Sequence, residues 1–267
     1  MKSGSDPDFR HPIFDPVRPW IEKAGDCSIE QLNLLSEQSD LRTESGKPVR
    51  FVPPSQSDPY YEVHVFETGY VQTRSGNKHD LFNALAWLAF PKTKARINAM
   101  HAAEIPREGG KRGRLRDMLT IFDEGGAIVS CGADVAALVR AAKWRELFVE
   151  RHREFRIAVV GHAVLEQALA PHPGITCKVL FADPSHDLDA PAAAWLAREG
   201  TSPRDLPPLP VFGYPGWFEG NGRPAFYSDE RYFRPLQRGK IGAGVGQAAA
   251  VSQGAEESPG SIERDAG

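Results

Sequence analysis

The stretch at residues 77–90, NKHDLFNALAWLAF, constrains the fold more than any other part of the chain. Its apolar residues surround Asn83 on every side of a helix, which is the pattern of a helix that is buried all round. A buried carboxamide without a hydrogen-bond partner costs roughly 1–3 kcal/mol. We therefore expect Asn83 to be buried and other segments to bring polar groups to it, so that a polar site forms there.

Two polar residues precede Asn83 on the same predicted helix. If the helix begins at His79 or Asp80, both lie about one turn before Asn83 and can share its face. Aspartate is also a favoured N-cap residue, so Asp80 can equally serve only to begin the helix. The sequence leaves both interpretations open.

A second helix is predicted from Pro91 to about Ile105, because proline is favourable at the first helical position. Lys94, Asn98 and His101 recur on one face of this helix. A neutral imidazole beside an amide can hold a metal ion or orient a phosphate. The alternative is a solvated helix face that carries an isolated histidine.

The overall charge of the chain points to no particular partner. The 267 residues carry a formal net charge of -3, which gives no general attraction to nucleic acid or to a membrane surface. The exception is the segment from Lys92 to Arg116, with eight basic and two acidic residues. We expect a phosphate-containing or nucleic-acid ligand to bind at this basic 92–116 region.

The next segment supplies further acidic candidates. Arg116 and Asp117 are adjacent, so each is expected to contact a different element rather than the other. MLTIFDEGGAIVS has two β-like runs around Asp-Glu-Gly-Gly and predicts a hairpin with Asp123 and Glu124 at its tip. Turn chemistry alone explains acidic residues there, although a strand-borne acid before a glycine turn also occurs in two-metal nucleases.

His162 follows the predicted strand RIAVVG and begins a predicted helix. Open α/β sheets often place ligand-binding groups at the carboxyl end of a strand. The helix N-terminus disfavours the charged imidazolium, so His162 is expected to be neutral, as a ligand or a base must be. The alternative is that it only bonds a local carbonyl at the start of the helix.

The remaining pattern predicts an α+β fold with a small mixed sheet covered by helices. The sheet is expected to contain the hairpin near Asp123 and strands near Val159 and Val179. YYEVHVFETGYVQTR alternates apolar and polar residues and predicts strands around a bend at Thr68 and Gly69. Predicted domain limits are an extended N-terminal arm at 1–25, one α+β domain at 26–238 and a disordered tail at 239–267.

A segment rich in proline and aromatic residues, 206–235, is expected to wrap the core. Trp217 and Arg234 within it are candidates for contacting a substrate, as part of a lid or a stacking wall. The alternative is that the rings of this segment belong to the core.

Composition also bears on the compartment. The three cysteines are far apart without a CxxC pair, which argues against a disulfide framework and a zinc knuckle. No secretion signal is recognised, and no stretch approaches the roughly 20 apolar residues that span a bilayer. We expect a cytoplasmic protein without membrane association.

Five motifs occur in an order that resembles the uncharacterised bacterial family named domain of unknown function 3025. They are HDLFNALAWLAFPKTKARINAMH, RDMLTIFDEGGAIV, GHAVLE, PLPVFGYPGW and FYSDERYFRP. The resemblance covers roughly residues 60–235 and implies one folded unit in mostly proteobacterial cytoplasmic proteins. It implies no activity. The positions associated with this pattern are His79, Asp80, Asn83, Trp87, Asn98, Arg116, Asp117, Asp123, His162, Trp217 and Arg234.

A second, looser resemblance concerns NALAW followed by INAMHA, which is similar to the spacing in HNH endonucleases. Those enzymes bind a divalent metal through histidines. They place a long loop between the general-base histidine and the asparagine, whereas His79 and Asn83 are four residues apart here. The helical periodicity also departs from the hairpin which that fold requires.

Two functional hypotheses follow. The first is a hydrolase with a divalent metal, acting on a phosphodiester in the manner of a phosphodiesterase or nuclease. Its candidate residues are His79, Asp80, Asn83 and His162 for catalysis, His79, His101, Asp117 and His162 for the metal, and Arg116, Lys94, Asn98, Trp217 and Arg234 for the substrate. It requires the three histidines to converge within about 5 Å.

The second hypothesis is a non-catalytic binding protein. In it a buried polar network fixes the helices and the basic loop contacts an acidic or nucleic-acid partner. A nucleophilic serine enzyme and a nucleotide-binding loop are disfavoured, because the chain has no GxSxG, GxxxxGK[ST] or GxGxxG motif.

Overall fold

A computed structural model describes residues 9–55, 60–108 and 112–235. Its α-helices are α1 (Arg18–Ala24), α2 (Ile29–Gln38), α3 (Tyr61–Thr68), α4 (Lys78–Ala89), α5 (Pro91–Glu104), α6 (Arg114–Gly125), α7 (Ala133–Arg140), α8 (His162–Gln167) and α9 (Asp189–Leu196). Its strands are β1 (Arg50–Val52), β2 (Tyr70–Gln72), β3 (Gly126–Ser130), β4 (Arg156–Val159), β5 (Cys177–Ala182) and β6 (Pro208–Leu209). The predicted tail at 239–267 and residues 1–8 of the arm lie outside the described residues.

The main sheet has the strand order β4-β3-β5-β6. Strand β3 is antiparallel to β4, with Ala127 opposite Val159, and parallel to β5, with Ala127 opposite Val179. All five residues of β3 are buried, as expected for a central strand covered by helices. A second sheet pairs β1 with β2 in parallel. The prediction of an α+β fold with a small mixed sheet is confirmed.

The predicted hairpin around Asp123 is wrong. Residues 114–125 form α6, and β3 starts directly after it at Gly126. The reason is an apolar stripe at helical spacing, formed by Leu115, Met118, Leu119 and Phe122, of which the last three are buried. Asp123 and Glu124 therefore lie in the last turn of a helix rather than at the tip of a turn.

The strand predicted before Thr68 is also wrong. Tyr61–Thr68 is α3, and only Tyr70–Gln72 is a strand. Tyr61 and Val65 are apolar at a spacing of four as well as of two, so the short pattern fits a helix equally well. Gly69 ends the helix with a φ of 80°, a left-handed conformation that glycine adopts readily.

Helices α4 and α5 form as the sequence predicts, with Phe90 between them and Pro91 at the first position of α5. The N-cap of α4 is Asn77, whose side chain accepts a hydrogen bond from the amide of Asp80 at 3.0 Å. Asp80 is therefore not the N-cap. The core residues of α4 are Phe82, Ala84, Leu85, Ala86, Trp87 and Leu88.

The segment at 206–235 is irregular chain with short 3-10 turns, and its rings pack into the core. The Tyr227 hydroxyl lies 2.9 and 2.8 Å from the carbonyl oxygens of Gly213 and Asn221, which share its single hydrogen. The Tyr232 hydroxyl donates to the carbonyl of Ile175 at 2.8 Å. These bonds tie the segment to the body and satisfy the polar ends of buried rings.

The predicted extended arm is partly helical, because residues 18–24 form α1. The arm is attached to the body through Phe14. The Phe14 side chain is fully buried and its ring stacks on Phe82 at a centroid distance of 5.8 Å. Among the residues that the structure describes, no helix has the length and apolar character needed to cross a membrane.

Gly161 connects β4 to α8 and offers a test of this packing. A Cβ built on Gly161 would lie 2.6 Å from both the carbonyl oxygen of Glu124 and the amide nitrogen of Gly126. Because these are backbone atoms, Gly161→Ala is expected to lower the free energy of unfolding by about 1–3 kcal/mol in urea denaturation. Gly125→Ala is the control, because its Cβ would meet only Val164 at 3.9 Å. Equal stability of the two variants would contradict this packing.

Candidate functional site

A cavity of about 480 Å³ lies among α3, α4, α5, α6 and α8, and most of the residues that line it have polar side chains. Seven of the residues to which the hydrolase hypothesis gives a role line it: His79, Asp80, Asn83, Lys94, Asn98, His101 and His162. Residues to which that hypothesis gives no role line it as well, among them Tyr61, Glu62, Thr120 and Glu124. The cavity is thus the meeting place of polar groups from five helices.

Two histidines face each other at one wall of the cavity. His79 lies in the first turn of α4 and His162 is the first residue of α8. Their Nε2 atoms are 3.1 Å apart, and Glu124 at the end of α6 completes a group whose ligand atoms all lie within 4.8 Å of one another. Two atoms that each bind one zinc ion at about 2.0–2.1 Å lie roughly 3 Å apart, so this spacing suits a shared metal ion.

A carboxylate lies near the Nδ1 atom of each of these two imidazoles. The Nδ1 atom of His79 lies 3.0 Å from Oε2 of Glu166, and Nδ1 of His162 lies 3.7 Å from Oδ2 of Asp123. The second separation is longer than a hydrogen bond, and Nδ1 of His162 is a buried atom without a hydrogen-bond partner. The Glu166 carboxylate at Nδ1 of His79 favours the tautomer that leaves Nε2 of this ring free to bind a metal.

His162 is held in the neutral form. Burial is the largest cause that lowers its pKa, to about 4, with Lys94 and His79 acting in the same direction against Asp123. The sequence predicted a neutral His162 from its place at a helix start, whereas the main physical cause is desolvation. At neutral pH its ring therefore retains an unprotonated nitrogen.

Lys94 connects two other polar residues that line the cavity, Asn83 and Asp123. Its Nζ atom donates to Oδ1 of Asn83 at 2.8 Å and forms an ion pair with Asp123. Burial acts to raise the pKa of Asp123, but the charge and the hydrogen bond of Lys94 act against it and the pKa is lowered, so the carboxyl is ionised. Asn83 is half-buried rather than buried as predicted, and the polar partner that it needs comes from α5.

His101 lines the cavity but does not join the histidine pair. Its Nδ1 atom accepts a hydrogen bond from Nε of Arg116 at 3.3 Å, and Arg116 also binds Glu108 at 2.7 Å. Burial lowers the pKa of His101 to about 4. Because Arg116 occupies Nδ1, the neutral ring carries its hydrogen on Nε2. The expected convergence of three histidines is wrong for His101.

Three other candidates lie away from the lining of this cavity. Asp117 forms an ion pair with Arg112 at 3.2 Å and is half exposed. Trp217 is buried in the core beside Tyr214, and Nε of Arg234 donates to the carbonyl of Arg231. The predicted metal role of Asp117 and the predicted substrate contacts of Trp217 and Arg234 therefore find no support in their positions.

The basic region at 92–116 is largely neutralised by acidic partners. Its ion pairs are Lys92 with Asp187, Lys94 with Asp123, Arg96 with Glu44, Arg107 with Glu104, Arg112 with Asp117 and Arg116 with Glu108. Lys111 lies outside the described residues. Paired cations attract phosphate less than free ones, so binding of a nucleic acid there stays a prediction.

Glu62 was missed because α3 was predicted as a strand. Asn98 donates through Nδ2 to the Glu62 carbonyl at 2.8 Å and to Oε2 of Glu62 at 2.7 Å. Burial raises the pKa of Glu62 to about 7. The Glu166 partner of His79 also escaped sequence analysis, although it lies four residues after His162 on α8.

The low pKa of His101 predicts a loss of stability in acid. The unfolded chain binds a proton near pH 6.5 and the folded chain only near pH 4, so the free energy of unfolding falls as pH decreases through that interval. Between pH 7 and pH 4, we expect the free energy of unfolding of His101→Gln to decrease by about 3 kcal/mol less than that of the wild-type protein, as measured by urea denaturation. His172→Gln, at an exposed histidine, is the control and should leave the slope unchanged.

Removal of the Lys94 charge should destabilise the folded protein, because the Asp123 carboxylate loses its ion-pair partner. The Lys94 side chain is 4% exposed, so Lys94→Met leaves Asp123 without its cation and is expected to lower the free energy of unfolding by about 3–5 kcal/mol. Lys94→Met combined with Asp123→Asn should recover much of this loss. Thermal and urea unfolding measure both variants, and additive losses would contradict the coupling.

The sequence profile of a protein family of unknown function, DUF3025, matches residues 49–237, which is well over half of the chain. The match includes His79, His162 and Glu124, which we call the histidine cluster, and the carboxylates near its imidazoles, Glu166 and Asp123. Neither the curated proteins nor the solved structures contain a match to the chain. The chain belongs to the DUF3025 family.

Proposed function

We propose that the protein is a hydrolase that binds a divalent metal through His79, His162 and Glu124. The observation that carries the proposal is the pair of Nε2 atoms 3.1 Å apart with Glu124 beside them. Two imidazoles and one carboxylate form the ligand set of many catalytic zinc sites, in which a fourth position is left for water. A bound ion would lower the pKa of that water and so supply a nucleophile at neutral pH.

The charges of the cavity favour a cation at this position. Arg74 pairs with Asp80 and Lys94 pairs with Asp123. Among the described residues, Glu124 forms no ion pair, although it lines the same cavity. A divalent ion would compensate the charge of Glu124 and bind the two imidazole nitrogens that face each other.

The surrounding residues have distinct roles in this proposal. Glu166 orients His79, Asp123 places a negative charge 3.7 Å from Nδ1 of His162, and Lys94 keeps Asp123 ionised. The ammonium of Lys94 has three N–H groups, of which Asn83 and Asp123 use two. The third can stabilise negative charge that develops on a substrate oxygen.

A phosphodiester substrate is one version of this hydrolase. The cations that line the cavity, Arg74 and Lys94, are both paired with carboxylates, so the charge of a phosphate would fall mainly to the metal and to the third N–H of Lys94. The choice between phosphodiester and carboxylic ester or amide is therefore part of the test.

A non-catalytic binding protein is the second candidate. The observation in its favour is that Lys94, Asn83 and Asp123 satisfy one another, as residues of a structural network do. In that case no divalent metal binds at the histidines.

Metal binding separates the two candidates. After removal of metal with EDTA, Zn²⁺ or Mn²⁺ is expected to raise the melting temperature of the wild-type protein, because an ion bound only to the folded state stabilises it. His79→Ala, His162→Ala and Glu124→Gln should lose this shift. Glu166→Gln should weaken metal affinity by about 10- to 100-fold, as removal of an orienting carboxylate does.

His101→Gln is the matched control, since His101 lines the cavity outside the ligand cluster and should keep the metal-dependent shift. Hydrolysis of bis(4-nitrophenyl) phosphate and of 4-nitrophenyl acetate by the metal-loaded protein then tests catalysis and substrate class. The hydrolase proposal fails if no metal changes the melting temperature, or if metal-dependent stabilisation survives in His79→Ala and His162→Ala.

A further inference from the structure

A second polar group lines the cavity beside the histidine cluster. It consists of Glu62 on α3 and Asn98 on α5, and we call it the acceptor pair. Asn98 is 2% exposed, and its Nδ2 atom donates hydrogen bonds to the carbonyl and to the carboxylate of Glu62. Its Oδ1 atom is buried and has no hydrogen-bond partner among the described residues.

The acceptor pair lacks a donor to Oδ1 of Asn98 and a cation paired with Glu62. An unsatisfied buried acceptor costs roughly 1–3 kcal/mol, which a bound donor would recover. The two cations that act on the charge of Glu62 are both paired with other carboxylates, Lys94 with Asp123 and Arg116 with Glu108. Among the described residues, Glu62 forms no ion pair of its own.

We propose that the acceptor pair binds a primary ammonium group of the substrate. An ammonium has three N–H donors and one positive charge, so it can donate to Oδ1 of Asn98 and to the carboxylate of Glu62 together. The inference rests on the proposed function, because it names the substrate class of the same cavity as an amine-bearing molecule.

Other ligand groups fit less well. A primary amide or a hydroxyl would satisfy Asn98 but would leave the charge of Glu62 uncompensated. A carboxylate or phosphate would meet a carbonyl oxygen and a carboxylate, both of which repel it. Trp87 and Tyr61 also line the cavity and can contact the apolar part of an amine.

The ionisation of Glu62 gives the proposal a pH signature. Burial raises its pKa to about 7, with Asp123 acting in the same direction and Asn98, Lys94 and Arg116 opposing it. An alkylamine with a pKa near that of lysine, about 10.4, stays charged over this range. Ammonium binding should therefore strengthen as Glu62 loses its proton between pH 6 and pH 8.

The test uses metal-free, full-length protein in EDTA and three four-carbon probes: butylamine, butyramide and butyrate. Ligand-observed NMR titrations give their dissociation constants at pH 6 and pH 8. At pH 8, butylamine is expected to bind at least tenfold more tightly than butyramide, and butyrate should not bind. The affinity for butylamine should fall about tenfold at pH 6, as the ionised fraction of Glu62 does.

Glu62→Gln should abolish the preference for butylamine and its pH dependence. Glu67→Gln is the matched control, because Glu67 is an exposed residue on the same helix and does not line the cavity. If Glu62→Gln does not fold, the pH dependence of the wild-type protein still decides. Absence of butylamine binding, equal binding of butyramide or butyrate, or pH-independent affinity would overturn the proposal.

The outcome is separable from that of the proposed function. His79→Ala and His162→Ala should keep butylamine binding, and Glu62→Gln should keep the metal-dependent rise in melting temperature. Loss of metal binding with retained amine binding would thus reject the hydrolase alone. Metal binding without amine binding would reject the ammonium site alone.

Discussion

The ion pair between Lys94 and Asp123 is the interaction on which the arrangement of the cavity depends. It joins α5 to the last turn of α6, and the same ammonium binds Asn83 of α4. Asp123 in turn faces His162 at the start of α8. Four helices thus take their positions around one cation, whose side chain is 4% exposed and whose Nζ lies 5.8 Å from the ring centre of Trp87.

A buried ion pair is a costly way to hold helices together, because both charges lose hydration and their attraction roughly repays that loss. Apolar side chains of similar volume would stabilise the junction equally well. They would not, however, place a carboxylate behind the buried Nδ1 of His162. The pair is therefore better explained by the negative charge that it keeps beside this imidazole than by its contribution to stability, as for other groups that support a ligand.

The sequence predicted the parts of the site that depend on local pattern. The apolar run around Asn83, Pro91 after it, and the common face of Lys94, Asn98 and His101 follow from helical periodicity alone. Glu124 was misplaced because the Asp-Glu-Gly-Gly turn signal competed with the stripe of α6, and a hairpin sends its acids away from His79. Glu62 and Glu166 were missed because their roles arise from contacts between helices far apart in the chain, which no single-sequence period encodes.

The charges of the cavity connect the two proposals. The residues that line it carry formally two more negative than positive charges, because Arg74 and Lys94 are outnumbered by Glu62, Asp80, Asp123 and Glu124. A divalent ion at the histidine cluster would balance this excess, and an ammonium beside Glu62 would then leave one positive charge. Hydrolysis of an uncharged ester or amide develops one negative charge on oxygen in the transition state, and a cavity with that excess stabilises it more than the ground state. A substrate amine would in this way contribute to catalysis as well as to binding. A phosphodiester would gain less from this positive charge, because it is already anionic before the reaction.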